Sequence, residues 1–92
     1  MAHVSGDFNG EWFNLNTAAG IPAGTQMKLQ NQGTYRVVLQ ESATQPASDD
    51  WSGEIMTTLL EAEPSKVVPE GSGSIWARSS EGSRVSIYAQ EI

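Results

Sequence analysis

Cysteine is absent from the 92 residues, so neither a disulfide nor a thiolate metal site can staple the fold. Histidine occurs once, as His3. Cysteine–histidine nucleophilic chemistry is thereby excluded, and a Ser-His-Asp set would have to draw on a side chain three residues into the chain. Basic residues are also scarce. Five Lys and Arg against eleven Asp and Glu give a net charge of −6. The basic residues are scattered, and no stripe of them exists to displace counterions from nucleic acid or to meet an anionic membrane. No apolar run approaches the roughly 20 residues that cross a bilayer. The opening MAHVSGDF has no basic region and no apolar stretch, so it does not read as a secretory signal, and synthesis in a cytoplasm is expected. The GSGS at 71–74 is not followed by the Lys and helix of a phosphate cradle.

What remains is enough for one domain, 1–92. A chain of this size buries roughly 60–65% of its unfolded surface. Small domains without covalent staples often gain stability by oligomerising.

The clearest pattern lies at 71–92, GSGSIWARSSEGSRVSIYAQEI. Residues 74–80 and 84–90 alternate in side-chain character and flank the short connection Glu81-Gly82-Ser83. In a strand the side chains point alternately to two faces. Ile75, Ala77, Val85, Ile87 and Ala89 would then face a core, and Trp76, Arg78, Tyr88 and Gln90 would face away. The two runs read as a closing β-hairpin. Residues 25–30 and 34–42 read as a second hairpin around Asn31-Gln32-Gly33. In its second strand Tyr35, Val37 and Leu39 share one face, and Arg36, Val38 and Gln40 the other.

The remaining segments are short. Residues 1–6 read as a disordered terminus or as an arm that orders against a partner, with 1–10 its widest extent. His3 there reads as an exposed side chain. DFNGEWFNLN, 7–16, has a carboxylate alternation, but Trp12 stands where a calcium loop needs its glycine, so the reading is a first strand over 11–16. Trp12 and Phe13 are adjacent and would point to opposite faces, leaving one exposed or set against a neighbouring subunit. Residues 17–24 read as a loop around Pro22. Residues 43–53 read as a long polar connection holding Trp51, which is either a lid over the end of the core or a stacking platform for a ligand. Residues 54–62 are ambiguous: Ile55, Leu59 and Ala62 match a helical stripe, but the Thr and Ile content and short length favour a strand with apolar groups on both faces, central or subunit-facing. Residues 65–68 form a further short strand before Pro69.

The sum is an all-β chain, a small antiparallel β-sandwich or barrel of six or seven short strands without a helix. The acidic residues sit in turns and at strand ends, where solvation explains them, and no catalytic set, cofactor or metal site is expected. Apolar groups in excess of one sheet face nominate Phe8, Trp12, Phe13, Val38, Met56 and Leu60 as a subunit or capsid interface. Trp51, Trp76 and Tyr88, beside Asp49, Asp50 or Arg78, are the candidates for stacking a sugar if the chain is instead a small carbohydrate-binding or host-recognition module.

Two stretches carry a family resemblance. SKVVPEGSGSIWARSSEGSRVSIYAQEI resembles the C-terminal part of small accessory structural proteins of tailed bacteriophages, where a Gly-Ser turn leads into an IWARS-like strand and a last Val/Ile-rich strand. LQNQGTYRVVLQESATQP is similar to their polar turn, strand and Pro-containing loop. The resemblance spans residues 27–92 and leaves the first sixteen outside. It implies a β-rich, often trimeric virion component, and so a capsid decoration or head accessory protein that binds the assembled capsid or another virion protein as a homo-oligomer, with a trimer favoured. A tail or head fibre is the other setting for the carbohydrate-binding alternative.

Overall fold

The computed structural model describes residues 2–8, 10–33, 35–58, 65–80 and 84–92. Eight strands and one short helix follow in chain order: β1 (Ala2–Asp7), β2 (Phe13–Asn14), α1 (Leu15–Ala19), β3 (Met27–Asn31), β4 (Val37–Glu41), β5 (Glu54–Met56), β6 (Ser65–Val68), β7 (Ile75–Ser79) and β8 (Arg84–Glu91). They build two four-stranded antiparallel sheets, in the orders β1-β8-β3-β6 and β2-β7-β4-β5. The sheets face one another as a sandwich. This strand order, in which successive strands exchange sheets except for the paired β4 and β5, is that of a jelly roll.

Alternation along the strands fills the space between the sheets. Val85, Ile87 and Ala89 of β8 are buried and meet Val4, Met27, Leu29 and Val68 of their sheet. Val37, Leu39, Met56, Ile75 and Ala77 supply the facing layer. Phe8 and Phe13 stack on one another at 3.9 Å between ring centroids and pack against the core beside β1 and β2. The final strand is thus an inner strand of its sheet. The Ile92 N–H continues its pairing by donating to the Gln26 carbonyl.

The strands at 74–80 and 84–90 lie where their alternation places them, but they do not form a hairpin. β7 pairs with β2 and β4, while β8 pairs with β1 and β3. The same holds for β3 and β4. Each short connection is a corner that carries the chain from one sheet to the other. Both strands own an apolar face, and crossing sheets puts those faces on opposite walls of one core. A hairpin would line them along a single wall. Tyr35 precedes β4 and is exposed rather than sharing the buried face of Val37 and Leu39. Residues 2–7 are neither a frayed terminus nor a detached arm, because they pair with β8 along their length.

The helix is the element that the sequence conceals. Asn14 caps it, accepting from the Thr17 N–H at 3.0 Å, and Gly20 ends it in the left-handed region. Its single turn drops Leu15 into the core and holds the buried Asn16 carboxamide oxygen 2.8 Å from the Ile75 N–H. A second buried amide, Asn31, donates to the Tyr35 carbonyl at 2.8 Å and accepts from the Gly33 N–H at 2.9 Å. It therefore fixes the β3–β4 corner from inside.

Of the strand read over 54–62, Glu54–Met56 is β5, and residues 59–62 lie outside the described residues. Gly53 leads into β5 with φ +144°, and a Cβ there would lie 2.2 Å from the Leu39 carbonyl oxygen. The backbone of 53 is pressed against β4, so Gly53→Ala combines a strained φ with a clash against backbone. We expect it to cost about 2–4 kcal/mol in urea unfolding, whereas Gly71→Ala, which meets open space, should cost no more than about 1–2 kcal/mol through its positive φ.

Candidate functional site

Three surfaces of the sandwich carry chemistry. The first is the outer side of the β2-β7-β4-β5 sheet. Trp76 and Arg78 of β7 point away from the core, opposite Gln40 and Val38 of β4. Residues 42–53, between β4 and β5, fold back over this side. Arg78 is consequently only 4% exposed. Its Nε and Nη2 donate to the Gly10 carbonyl at 3.0 and 2.7 Å, and its Nη1 donates to the Ser48 carbonyl at 2.8 Å. The guanidinium lies 3.5 Å from the centre of the Trp51 indole and 5.3 Å from that of Trp12. A planar cation that donates in several directions and stacks on aromatic faces suits this position, and lysine would not.

The neighbouring side chains secure the same loop. Trp12 Nε1 donates to the Asp50 carbonyl, Gln45 Nε2 to the Trp12 carbonyl, and Ser48 Oγ to the Glu11 carboxylate, each at 3.0 Å. Gln40 Nε2 reaches the Ser52 carbonyl at 2.8 Å. The Asp50 carboxyl is held below the usual carboxylate range. The main cause is Ser52, whose Oγ and N–H both donate to Oδ1 at 2.5 and 3.0 Å; slight desolvation opposes this, and Gln40 and the Arg78 charge add to the lowering.

This arrangement corrects part of the interface expected from sequence. Trp12 and Phe13 do point to opposite sides, but Trp12 is 3% exposed, covered by its own chain. Val38 is outward-facing and also buried, with Gly53 against it. Met56 lies in the inner core, and Phe8 and Phe13 are half-buried in their mutual stack. Trp12, Val38 and Met56 therefore have no face to give a partner. Leu60 lies outside the described residues.

The stacking candidates separate as well. Trp51 is 51% exposed, but it lies over Arg78 on the outer side of its sheet rather than over the end of the inner core. Trp76 is half-buried, its Nε1 bound to the Ser42 carbonyl at 3.0 Å. Tyr88 belongs to the other sheet, facing outward beside His3 and Gln30. The three rings cannot hold one ligand together.

The second surface is the side where the edge strands β5 and β6 leave the sandwich open. A groove of about 410 Å³ enters there, floored by Leu39, Val68 and Ile75 and rimmed by Glu41, Glu54 and Lys66. Lys66 forms an ion pair with Glu54 across the two sheets. Ile55 and Val67, one residue away on each edge strand, are 61% and 49% exposed. Periodicity along single strands could not reveal this, because the signal lies in two strands meeting as edges. The third surface is the outer face of the β1-β8-β3-β6 sheet, described below. Among the described residues, no group of three His, Cys, Asp or Glu side chains gathers to hold a metal ion.

Two outcomes are expected. Arg78→Met leaves the Gly10 and Ser48 carbonyls without their donor and removes the stack, so it should cost about 3 kcal/mol and red-shift the tryptophan emission. Because the folded-state pKa of Asp50 is depressed, its contribution is full above the unfolded value and fades as pH falls through the folded one. Urea midpoints taken between about pH 5 and pH 3 should therefore drop less for Asp50→Asn than for the parent chain. Comparison with known proteins yields no matching family model, no matching curated protein and no matching solved structure.

Proposed function

We propose that this protein is a non-enzymatic structural component of a tailed-phage virion, a capsid decoration or head accessory protein that attaches to the assembled particle as a homo-oligomer, with a trimer favoured. The observation that carries the reading is the β5–β6 side. Two edge strands border an apolar groove there and present Ile55 and Val67 to solvent. Exposed apolar groups on neighbouring edges are costly on a free monomer and useful at a contact. The resemblance of residues 27–92 to phage accessory proteins supplies the setting. The jelly-roll topology is compatible with it and also with other roles, since a fold alone does not fix a function.

The inward-pointing Glu54 and Lys66 fit this use. Charged groups turned into the mouth discourage indiscriminate strand addition at the same edges. Ile55 and Val67 point outward from opposite sheets on either side of the groove, so they act as side-chain anchors for a partner that wraps around the flank of the sandwich.

Light scattering across a dilution series and co-sedimentation with assembled capsids at physiological salt test the proposal together. A stable oligomer that pellets in stoichiometric amount with capsids is expected, and Ile55→Lys with Val67→Lys should weaken pelleting at least tenfold while the thermal midpoint changes little. A monomer at every concentration that stays in the supernatant would overturn the reading.

A further inference from the structure

We propose that the outer face of the β1-β8-β3-β6 sheet is a glycan-binding surface centred on Tyr88. Cross-strand register sets His3, Tyr88 and Gln30 side by side in one row and Gln90 beside Lys28 in the next. Lys28, Gln30, Tyr88 and Gln90 line a shallow depression of about 90 Å³. His3 Nε2 lies 2.8 Å from Ser86 Oγ, which fixes the imidazole beside the ring, and Gln32 Nε2 donates to Gln30 Oε1 at 3.1 Å, which orients that amide.

The composition of this face selects the ligand class. The chain has eleven acidic residues, yet none occupies an outward position in the rows from Ser86 to Gln90 and their partners on β1, β3 and β6. One lysine is too little positive charge for a nucleic acid, whose binding rests on several phosphate contacts. Apart from Tyr88, the depression has no large apolar group of the kind that forms the centre of a protein interface. What it offers is amide groups that both donate and accept, an ammonium that donates, and a phenol that does both around a flat apolar ring. Neighbouring strands space these groups by about 5 Å, comparable to the breadth of one sugar ring. A hydroxyl-rich glycan can exchange its hydrogen bonds to water for bonds to the Gln30, Gln90 and Lys28 side chains while its C–H face rests on Tyr88. The depression adjoins the β5–β6 flank, since Val67 is the cross-strand neighbour of Lys28, but none of its lining residues belongs to the groove proposed for attachment to a particle, so the inference does not depend on that attachment.

The test is a glycan array probed with the whole chain, followed by titration of the strongest glycan against ¹⁵N-labelled protein. Binding is expected, with amide shifts at Lys28, Gln30 and Tyr88. Tyr88→Ala and the double variant Gln30→Ala/Gln90→Ala should each weaken it at least tenfold, and Trp51→Ala should leave it unchanged. The double variant alters two polar side chains that point to solvent, so it decides the matter if Tyr88→Ala fails to fold. Absence of binding to any glycan, retention of binding in the double variant, or loss of it in Trp51→Ala would overturn the proposal.

Discussion

A guanidinium withdrawn from water must be given acceptors in return, and Arg78 finds them in the backbone of two separate loops. The Gly10 carbonyl comes from the β1–β2 connection and the Ser48 carbonyl from the β4–β5 connection. The indoles of Trp12 and Trp51 take the faces of the cation. Because β7 is an inner strand of its sheet, this single side chain pins both loops to the middle of the outer face. Charge-assisted bonds of this kind contribute about 1.5–3 kcal/mol, and a buried cation left without them is strongly destabilising. The loop from 42 to 53 is consequently a wall of the domain. With that sheet covered, the proposals above assign partners to the flank at β5 and β6 and to the outer face of the opposite sheet.

Much of the fold was legible because alternation is a local property. The period of two in 84–90 marks buried and outward positions residue by residue, and burial follows it; in Ile75–Ser79 it marks the two faces, but the outward Arg78 is buried beneath the loop at 42–53. Pairing is not local. The connections after β3 and after β7 are short enough for hairpins, and only the presence of two apolar walls decides that they are corners. The helix escaped notice because one turn carries no periodicity. Its signals are the Asn14 cap and the left-handed Gly20, and both also read as loop chemistry.

The candidate site was less legible for the same reason. Alternation shows that Val38 and one of Trp12 and Phe13 leave the inner core, but not that the loop at 42–53 returns to cover Trp12 and Val38. Apolar groups in excess of one sheet face were therefore assigned to a partner when the chain itself supplies the cover. Ile55 and Val67 were not singled out, because each is an isolated aliphatic residue until β5 and β6 are seen to be neighbouring edges. Tyr88 was identified as outward-facing, and its neighbours His3 and Gln30 come from strands far away in sequence.

The account gives the two open surfaces different partners. In the proposals above, the apolar flank would attach to a particle, and the polar depression around Tyr88 would take a hydroxyl-rich ligand. Amide hydrogen exchange of the protein, free and bound to assembled capsids, tests the first assignment most directly. Slower exchange on binding at Glu54–Met56 and Ser65–Val68, with the loop at 43–52 unchanged, is the predicted result. Protection confined to that loop, or no change at β5 and β6 in the bound protein, would contradict it.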